Sequence, residues 1–332
     1  MRQCFDFYDL TIEVSSTTAD LVEEVRRHFA YFSIPPRDGQ VRIEMRRIPP
    51  PYAELSPLPA SVITPRNVCF QNGKVTYVDY FGQGLAVFDR QEKHCVIYGM
   101  DHDLVHEIAY LFILSTVGQY LDNHRMHRVH ALGVSYNQKG ILLLLPSGGG
   151  KSTMALELMR QPGFLLLGED TPLIDHRGHI YPFPLRLGIR PDQDTEIPPQ
   201  YLRTVNRMEF EPKTLIDIEY FKDRLGTAVE AGLILVGERN LGDVSEIVPL
   251  ARHHAFKAMV KYVIVGLGVY QGLEFLLERG LWELLGKTGV ATSRLYNSLS
   301  LLARAPAYRF VMGRNTEKNC QTLIKFIQQR CA

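Results

Sequence analysis

What this 332-residue chain lacks narrows it first. Lys and Arg number 37 against 36 Asp and Glu, a formal net charge of +1, so the chain offers no field to draw in nucleic acid. The longest apolar run, around Ile108 to Val117, is half the length that crosses a bilayer. The N-terminus, Met1-Arg2-Gln3-Cys4-Phe5-Asp6, has no signal-like apolar core. A cytoplasmic protein with neither a membrane nor a nucleic-acid partner is expected. Five cysteines, Cys4, Cys69, Cys95, Cys320 and Cys331, are odd in number and widely scattered. No short pairing suggests zinc or a redox motif, and reduced thiols follow, with Cys69 and Cys95 as small buried hydrophobes in strands.

What is present is ordinary globular material, 45% hydrophobic and 22% charged, at a length that predicts two domains with a core each. Asp9 to Val14 alternates as a strand. Thr18 can cap a helix carrying Leu21, Val22, Val25 and Phe29 at helical spacing, and Val41 to Ile48 alternates again. The proline-rich stretch from Pro49 to Pro65 excludes a central strand or a helix. From Val68, four strands joined by turns, the first at Asn72-Gly73, predict an antiparallel meander ending near Tyr98. Residues 1–100 thus read as a β-rich α+β domain. A largely buried helix follows from Asp101, with His102 and His106 four apart on it; such a pair can share a metal ion, but no acidic or thiol partner in the sequence completes a set.

The centre of the chain carries its chemistry. Ile141-Leu142-Leu143-Leu144-Leu145 reads as a buried strand, Pro146-Ser147-Gly148-Gly149-Gly150-Lys151-Ser152-Thr153 as a glycine loop, and Met154, Leu156 and Leu158 as the face of a helix. Glycines let backbone N–H groups converge, the helix start adds partial positive charge, Lys151 reaches outer phosphates and the Ser152 hydroxyl suits Mg2+. Leu145 stands where the full phosphate-loop pattern has its first glycine.

A second buried strand, Phe164 to Gly168, ends in Glu169-Asp170, where a magnesium ligand or a proton acceptor belongs. Before the loop, His130 lies in a strand, Arg128 to Val134, beside the loop strand; core and site readings of it stand level. Arg186 and Arg190 are candidates to clamp phosphate or offset developing charge. The polar stretch from Asp192 to Pro212 reads as a loop, and helices are expected over His253 to Lys261, Gly268 to Glu278, Ser298 to Arg304 and Thr316 to Gln328.

With Val129-His130, Gly140-Ile141-Leu142-Leu143, Ser147-Gly148-Gly149-Gly150-Lys151-Ser152 and Gly163 through Glu169-Asp170 in view, the segment from Arg128 to Ile174 resembles the catalytic domain of bacterial HPr kinase/phosphorylase. The resemblance implies an α/β fold: a P-loop catalytic domain of the phosphoenolpyruvate-carboxykinase-like type over residues 101–332, behind the smaller domain. It implies an ATP- and Mg2+-dependent kinase acting on a hydroxyl, and similarity to the HPr-kinase-related tailoring enzymes points to a serine of a peptide or protein, lasso-type peptides included. Carried over, Glu169 is the general base, Asp170 pairs with His130, Lys151 and the loop from Ser147 to Thr153 hold phosphates, and Ser152 with Asp170 holds the metal. Glu169 and Ala131 stand where the family has aspartate and glycine. A small-molecule or carboxykinase-like enzyme on the same fold and a non-catalytic nucleotide-sensing or peptide-binding module remain alternatives, and a homo-oligomer is compatible with the sequence.

Overall fold

The computed structural model describes residues 1–146, 148–189, 196–207, 210–264 and 281–332. It is a mixed α/β structure in two compact units, each built on a large mixed sheet. The first takes Met1–Tyr120 and a later segment ending at Glu219; the second takes Leu121–Ile189, resumes at Tyr220 and holds the C-terminal helices.

In the first unit, strands β1 (Arg2–Phe7) and β2 (Leu10–Ser16) form a hairpin whose turn residues Tyr8 and Asp9 both have positive φ, at 56° and 75°. That is the twist a two-residue hairpin turn needs. Helix α1 (Ala19–His28) buries Leu21, Val22 and Val25. Thr18 stands at its N-cap but forms no side-chain bond; Asp20 Oδ1 accepts from the Leu21 N–H at 2.9 Å instead. The helix carries the chain from β2 to β4 (Val41–Arg46), which pairs parallel to it, while β3 (Ser33–Ile34) joins the β1 edge.

Strands β6 (Val68–Asn72), β7 (Val75–Asp79), β8 (Gly84–Asp89) and β9 (His94–Gly99) form the expected meander, and β5 (Ala60–Ile63), a strand where the proline-rich stretch read as loop or strap, adds antiparallel to β6. The proline-rich stretch thus yields an edge strand, the one sheet position that tolerates its composition. The whole sheet is mixed rather than antiparallel, because β4 pairs parallel with both β2 and β9. The order is β3-β1-β2-β4-β9-β8-β7-β6-β5.

Helix α2 (His102–Asn123) runs 22 residues with a mean hydropathy of 1.2 in its most apolar window, long and apolar enough to cross a membrane. Of that window 72% is buried inside the protein, and Val105, Ile108, Phe112, Ile113 and Val117 are fully enclosed. A helix apolar on every side is a core helix where the fold covers it. His102 faces acids from two helices, Asp20 Oδ2 at 3.4 Å and Asp103 Oδ1 at 3.6 Å.

In the second unit, β10 (His127–Arg128) and β11 (Ala131–Tyr136) replace the single strand expected there. β10 pairs with β14 (Leu173–Ile174), whereas β11 lies between β12 (Lys139–Leu144) and β13 (Phe164–Gly168). Helix α3 (Lys151–Arg160) joins β12 to β13. β15 (His179–Tyr181) forms a hairpin with β14, and β16 (Leu187–Ile189) follows. In the later segment of the first unit, where a polar loop was expected, β17 (Leu202–Arg207) and β18 (Phe210–Ile216) pair antiparallel; their interleaved charges hide the strand pattern.

Strand β19 (Val229–Arg239) is the spine: it pairs parallel with β12 on one side and with β21 (Ala307–Met312) on the other, and β20 (Glu246–Pro249) extends the sheet. Helices α4 (Arg252–Met259), α5 (Leu281–Arg304) and α6 (Thr316–Arg330) complete the chain. Leu142, Leu144, Leu167 and Ile234 meet Ala255, Met259, Leu301 and Leu302 in the core. The helix expected from Gly268 to Glu278 lies outside the described residues.

Candidate active site

Strand directions gather the site. β12, β13, β19 and β21 run the same way, since β13 and β12 are each antiparallel to β11, and β19 is parallel to β12 and β21. Their carboxyl ends and the start of β11 therefore share one edge, the side of an α/β sheet where ligands bind. That edge carries His130, the loop after Leu144, Glu169-Asp170, Arg239 and Gly313. A register shift at Gly133/Val134, where β11 meets β13, lies three residues from His130 and two from Glu169 across the pair. Bulges of this kind re-aim the residues beside a site.

The loop turns back at once: the Gly149 N–H donates to Pro146 O at 3.0 Å. Gly150 is the N-cap of α3 with φ at 101°, a left-handed conformation that a side chain would strain. No side chain caps the helix there, and an uncapped helix start is the kind that can receive phosphate oxygens. α3 packs on β11, β13, β16 and α6, which fixes the loop's C-terminal end.

Lys151 is buried, and its ammonium turns inward. It donates to His130 Nε2 at 2.9 Å, Leu145 O at 3.1 Å and Pro146 O at 3.4 Å, and lies 3.3 Å from Asp170 Oδ1. An ammonium has only protons to give, so His130 Nε2 must present its lone pair and Nδ1 must carry the hydrogen. That Nδ1 faces Asp170 Oδ1 at 3.1 Å, within ion-pair reach though off hydrogen-bond alignment. Burial pushes the His130 pKa below the ordinary imidazole value; Asp170 opposes the shift and Lys151 adds to it. The His130 backbone N–H donates to Tyr262 O at 3.2 Å, and the imidazole stacks on the Tyr262 ring. Tyr262 lies in a π-helical turn, Val260–Ile264, which begins within the helix expected from His253 to Lys261 and continues past it.

The acids divide differently from expectation. Ser152 Oγ donates to Glu169 Oε1 at 2.6 Å, not to Asp170. Asp170 lies with His130, the pairing expected, and with Lys151, its side chain 46% exposed. His130, Lys151, Ser152, Glu169 and Asp170 are thus brought together, with Gly148, Gly149, Gly150 and Thr153 in the loop and helix start. Ser147 and Arg190 lie outside the described residues. Arg186 is half-buried directly before β16, which packs on α3.

Arg239 went unread in the sequence. At the end of β19 its guanidinium donates to Gly149 O at 3.1 Å and Gly313 O at 3.4 Å. The strand is legible as Leu233 to Val236 but continues three residues further, and only its pairing with β12 brings Arg239 to the loop. Leu145, fully buried, has a packing role: its side chain lies over Gly237, where an added Cβ would come within 2.2 Å of Leu145 Cδ2.

The set fits a magnesium ion. Ser152 Oγ and Glu169 Oε1 converge as hard oxygen donors, and Mg2+ ordinarily takes one or two protein ligands besides phosphate oxygens. Among the described residues no group of three His, Cys, Asp or Glu side chains converges as a self-sufficient metal site. Chemically the edge offers a cation and a helix N-terminus for phosphate, two oxygens for a metal and a half-exposed carboxylate backed by an imidazole. Compared with family models and with curated proteins, the chain matches none.

Proposed function

We propose that this chain is an ATP- and Mg2+-dependent kinase that transfers a phosphoryl group to a hydroxyl, in the manner of the HPr-kinase-like fold, with a serine of a peptide or protein as acceptor. The reading rests on one observation: a phosphate-type loop has its lysine and serine within bonding distance of His130, Glu169 and Asp170 at the carboxyl edge of the sheet. A lone glycine loop would support nucleotide binding only. Two acids and an imidazole on it supply the proton acceptor that transfer to a hydroxyl requires.

In this reading Lys151 leaves the loop carbonyls and His130 to meet the outer phosphates, and the loop N–H groups hold them. Ser152 and Glu169 would hold Mg2+, which neutralises phosphate charge when bound. Asp170, released by Lys151 and reachable from solvent, accepts the acceptor's hydroxyl proton while His130 Nδ1–H orients it. The two acids thereby exchange the tasks expected from the sequence, an assignment supported by the Ser152–Glu169 hydrogen bond.

The test is mass spectrometry of peptide and small-molecule acceptors after incubation with ATP and Mg2+. Lys151→Ala should abolish labelling. Asp170→Asn should keep nucleotide binding and lose roughly 10² to 10⁴ in turnover, whereas Glu169→Gln should raise the Mg2+ requirement. Full turnover in Asp170→Asn refutes the division, and ATP consumption no faster than Lys151→Ala across a broad acceptor set refutes the kinase.

A further inference from the structure

A second constellation, unused by the reaction above, lies in the second unit on α2, β10 and α5. Asp122 is in the last turn of α2, His127 in β10 and Ser293 in α5. His127 is fully buried; its Nδ1 lies 2.7 Å from Asp122 Oδ1 and its Nε2 lies 2.8 Å from Ser293 Oγ. Arg294 donates to Asp122 Oδ2 at 2.7 Å and holds the carboxylate from the far side.

The chemistry of these groups sets the direction of each hydrogen. Burial disfavours the Asp122 carboxylate, but the hydrogen bond from His127 and the charge of Arg294 outweigh it and hold its pKa below the usual range. An ionised carboxylate only accepts, so Nδ1 carries the ring hydrogen. In the neutral ring Nε2 then has its lone pair free, and the Ser293 hydroxyl donates to it. Carboxylate, imidazole and hydroxyl stand in the order that turns a serine into a nucleophile. Ser293 is half-buried and so reachable, with Thr292 and Tyr296 exposed beside it.

The geometry points to Ser293 as an activated phosphoryl acceptor, with His127 as its base and Asp122 as the residue that orients the imidazole. Ser293 Oγ attacks an activated phosphoryl ester or anhydride; the Oγ–P bond forms, the bond from phosphorus to its leaving group breaks, and the hydroxyl proton passes to His127 Nε2. Because α5 spends its N–H groups on its own ladder around Ser293, no helical N–H pair stands ready as an oxyanion hole for acyl turnover. The site keeps what it receives, as a covalent modification site does.

A fluorophosphonate probe tests this on the full chain without nucleotide, so the result does not depend on the phosphate loop. The native protein should be labelled on the Ser293 peptide, with loss of fluoride, at least about a hundredfold faster than the same chain in urea. His127→Gln and Asp122→Asn, read in preparations whose circular dichroism matches the native chain, should lower the rate by a similar factor. No native labelling at Ser293, a rate unchanged by unfolding, or a folded variant within threefold of the native rate overturns the assignment. The comparison of native with unfolded chain stands even where both variants misfold.

Discussion

Replacing Leu145 by the glycine that phosphate loops ordinarily carry should damage this protein rather than improve it. The side chain, just past the end of β12, is fully buried and lies against Gly237 of β19, where an added Cβ would meet Leu145 Cδ2 at 2.2 Å, Leu145 Cγ at 3.0 Å and Met312 Cε at 3.0 Å. Removing a buried leucine side chain to Ala costs about 2–5 kcal/mol, and glycine adds about 0.5–1 kcal/mol of backbone freedom. Gly237→Ala works in the opposite sense: a real Cβ cannot sit 2.2 Å from carbon, so Leu145 must leave its rotamer, an overpacking cost of about 1–3 kcal/mol.

Because the two sites share one volume, the double variant Leu145→Ala/Gly237→Ala should be more stable than the sum of its parts by at least about 1 kcal/mol. Urea unfolding followed by circular dichroism gives the four stabilities of the cycle. Hydrogen exchange at β12 and β19 amides assigns the change to the second unit, since a chain of two units need not unfold in one step. Additivity within about 0.5 kcal/mol, or a neutral Gly237→Ala, refutes the packing argument.

Other perturbations follow from the same geometry. His130 binds its proton less readily in the folded chain than the roughly 6.5 of a free imidazole; the unfolded chain therefore protonates first, and the stability its neutral form contributes is lost as pH falls from about 6.5 towards the depressed folded value. Urea midpoints against pH should show that decline, flattened in His130→Gln, and NMR should find the Nδ1–H tautomer at neutral pH; an Nε2–H tautomer would break the Lys151 bond as described. Arg239→Gln should speed hydrogen exchange of the loop amides by about tenfold, the effect of losing a charge-assisted bond to Gly149 O. All five cysteines are buried and unpaired, and burial pushes Cys320 up to about 11 and Cys95 further; native protein should resist iodoacetamide on a timescale of hours while urea exposes five reactive thiols.

Local signals carried much of this architecture into the sequence. The meander was visible from turns and alternation, and the loop with its acids from glycine spacing and a strand that stops at Glu169. The mixed character of the N-terminal sheet was not, because parallel pairing of β4 with β2 and β9 joins segments up to about fifty residues apart and leaves no mark in either. For the same reason β17 and β18 read as loop: their stability comes from a partner strand, and β-propensity without that partner is weak.

The site divides along the same line. Lys151, Ser152 and the acidic pair lie within one helix and one strand of each other, so chain order alone brings them near. Which acid meets which partner depends on how β13 leaves its pairing with β11, and the register shift there decides it: Glu169 turns to Ser152, and Asp170 to Lys151 and His130. Arg239 comes from a strand almost ninety residues beyond the lysine, and His127 finds Ser293 across 166 residues. Both contacts exist only because β19 inserts beside β12 and α5 returns across the end of α2. Spacing can nominate neighbours in sequence, but neighbours made by topology become visible only when the sheet order is known, and in this protein they complete the first site and create the second.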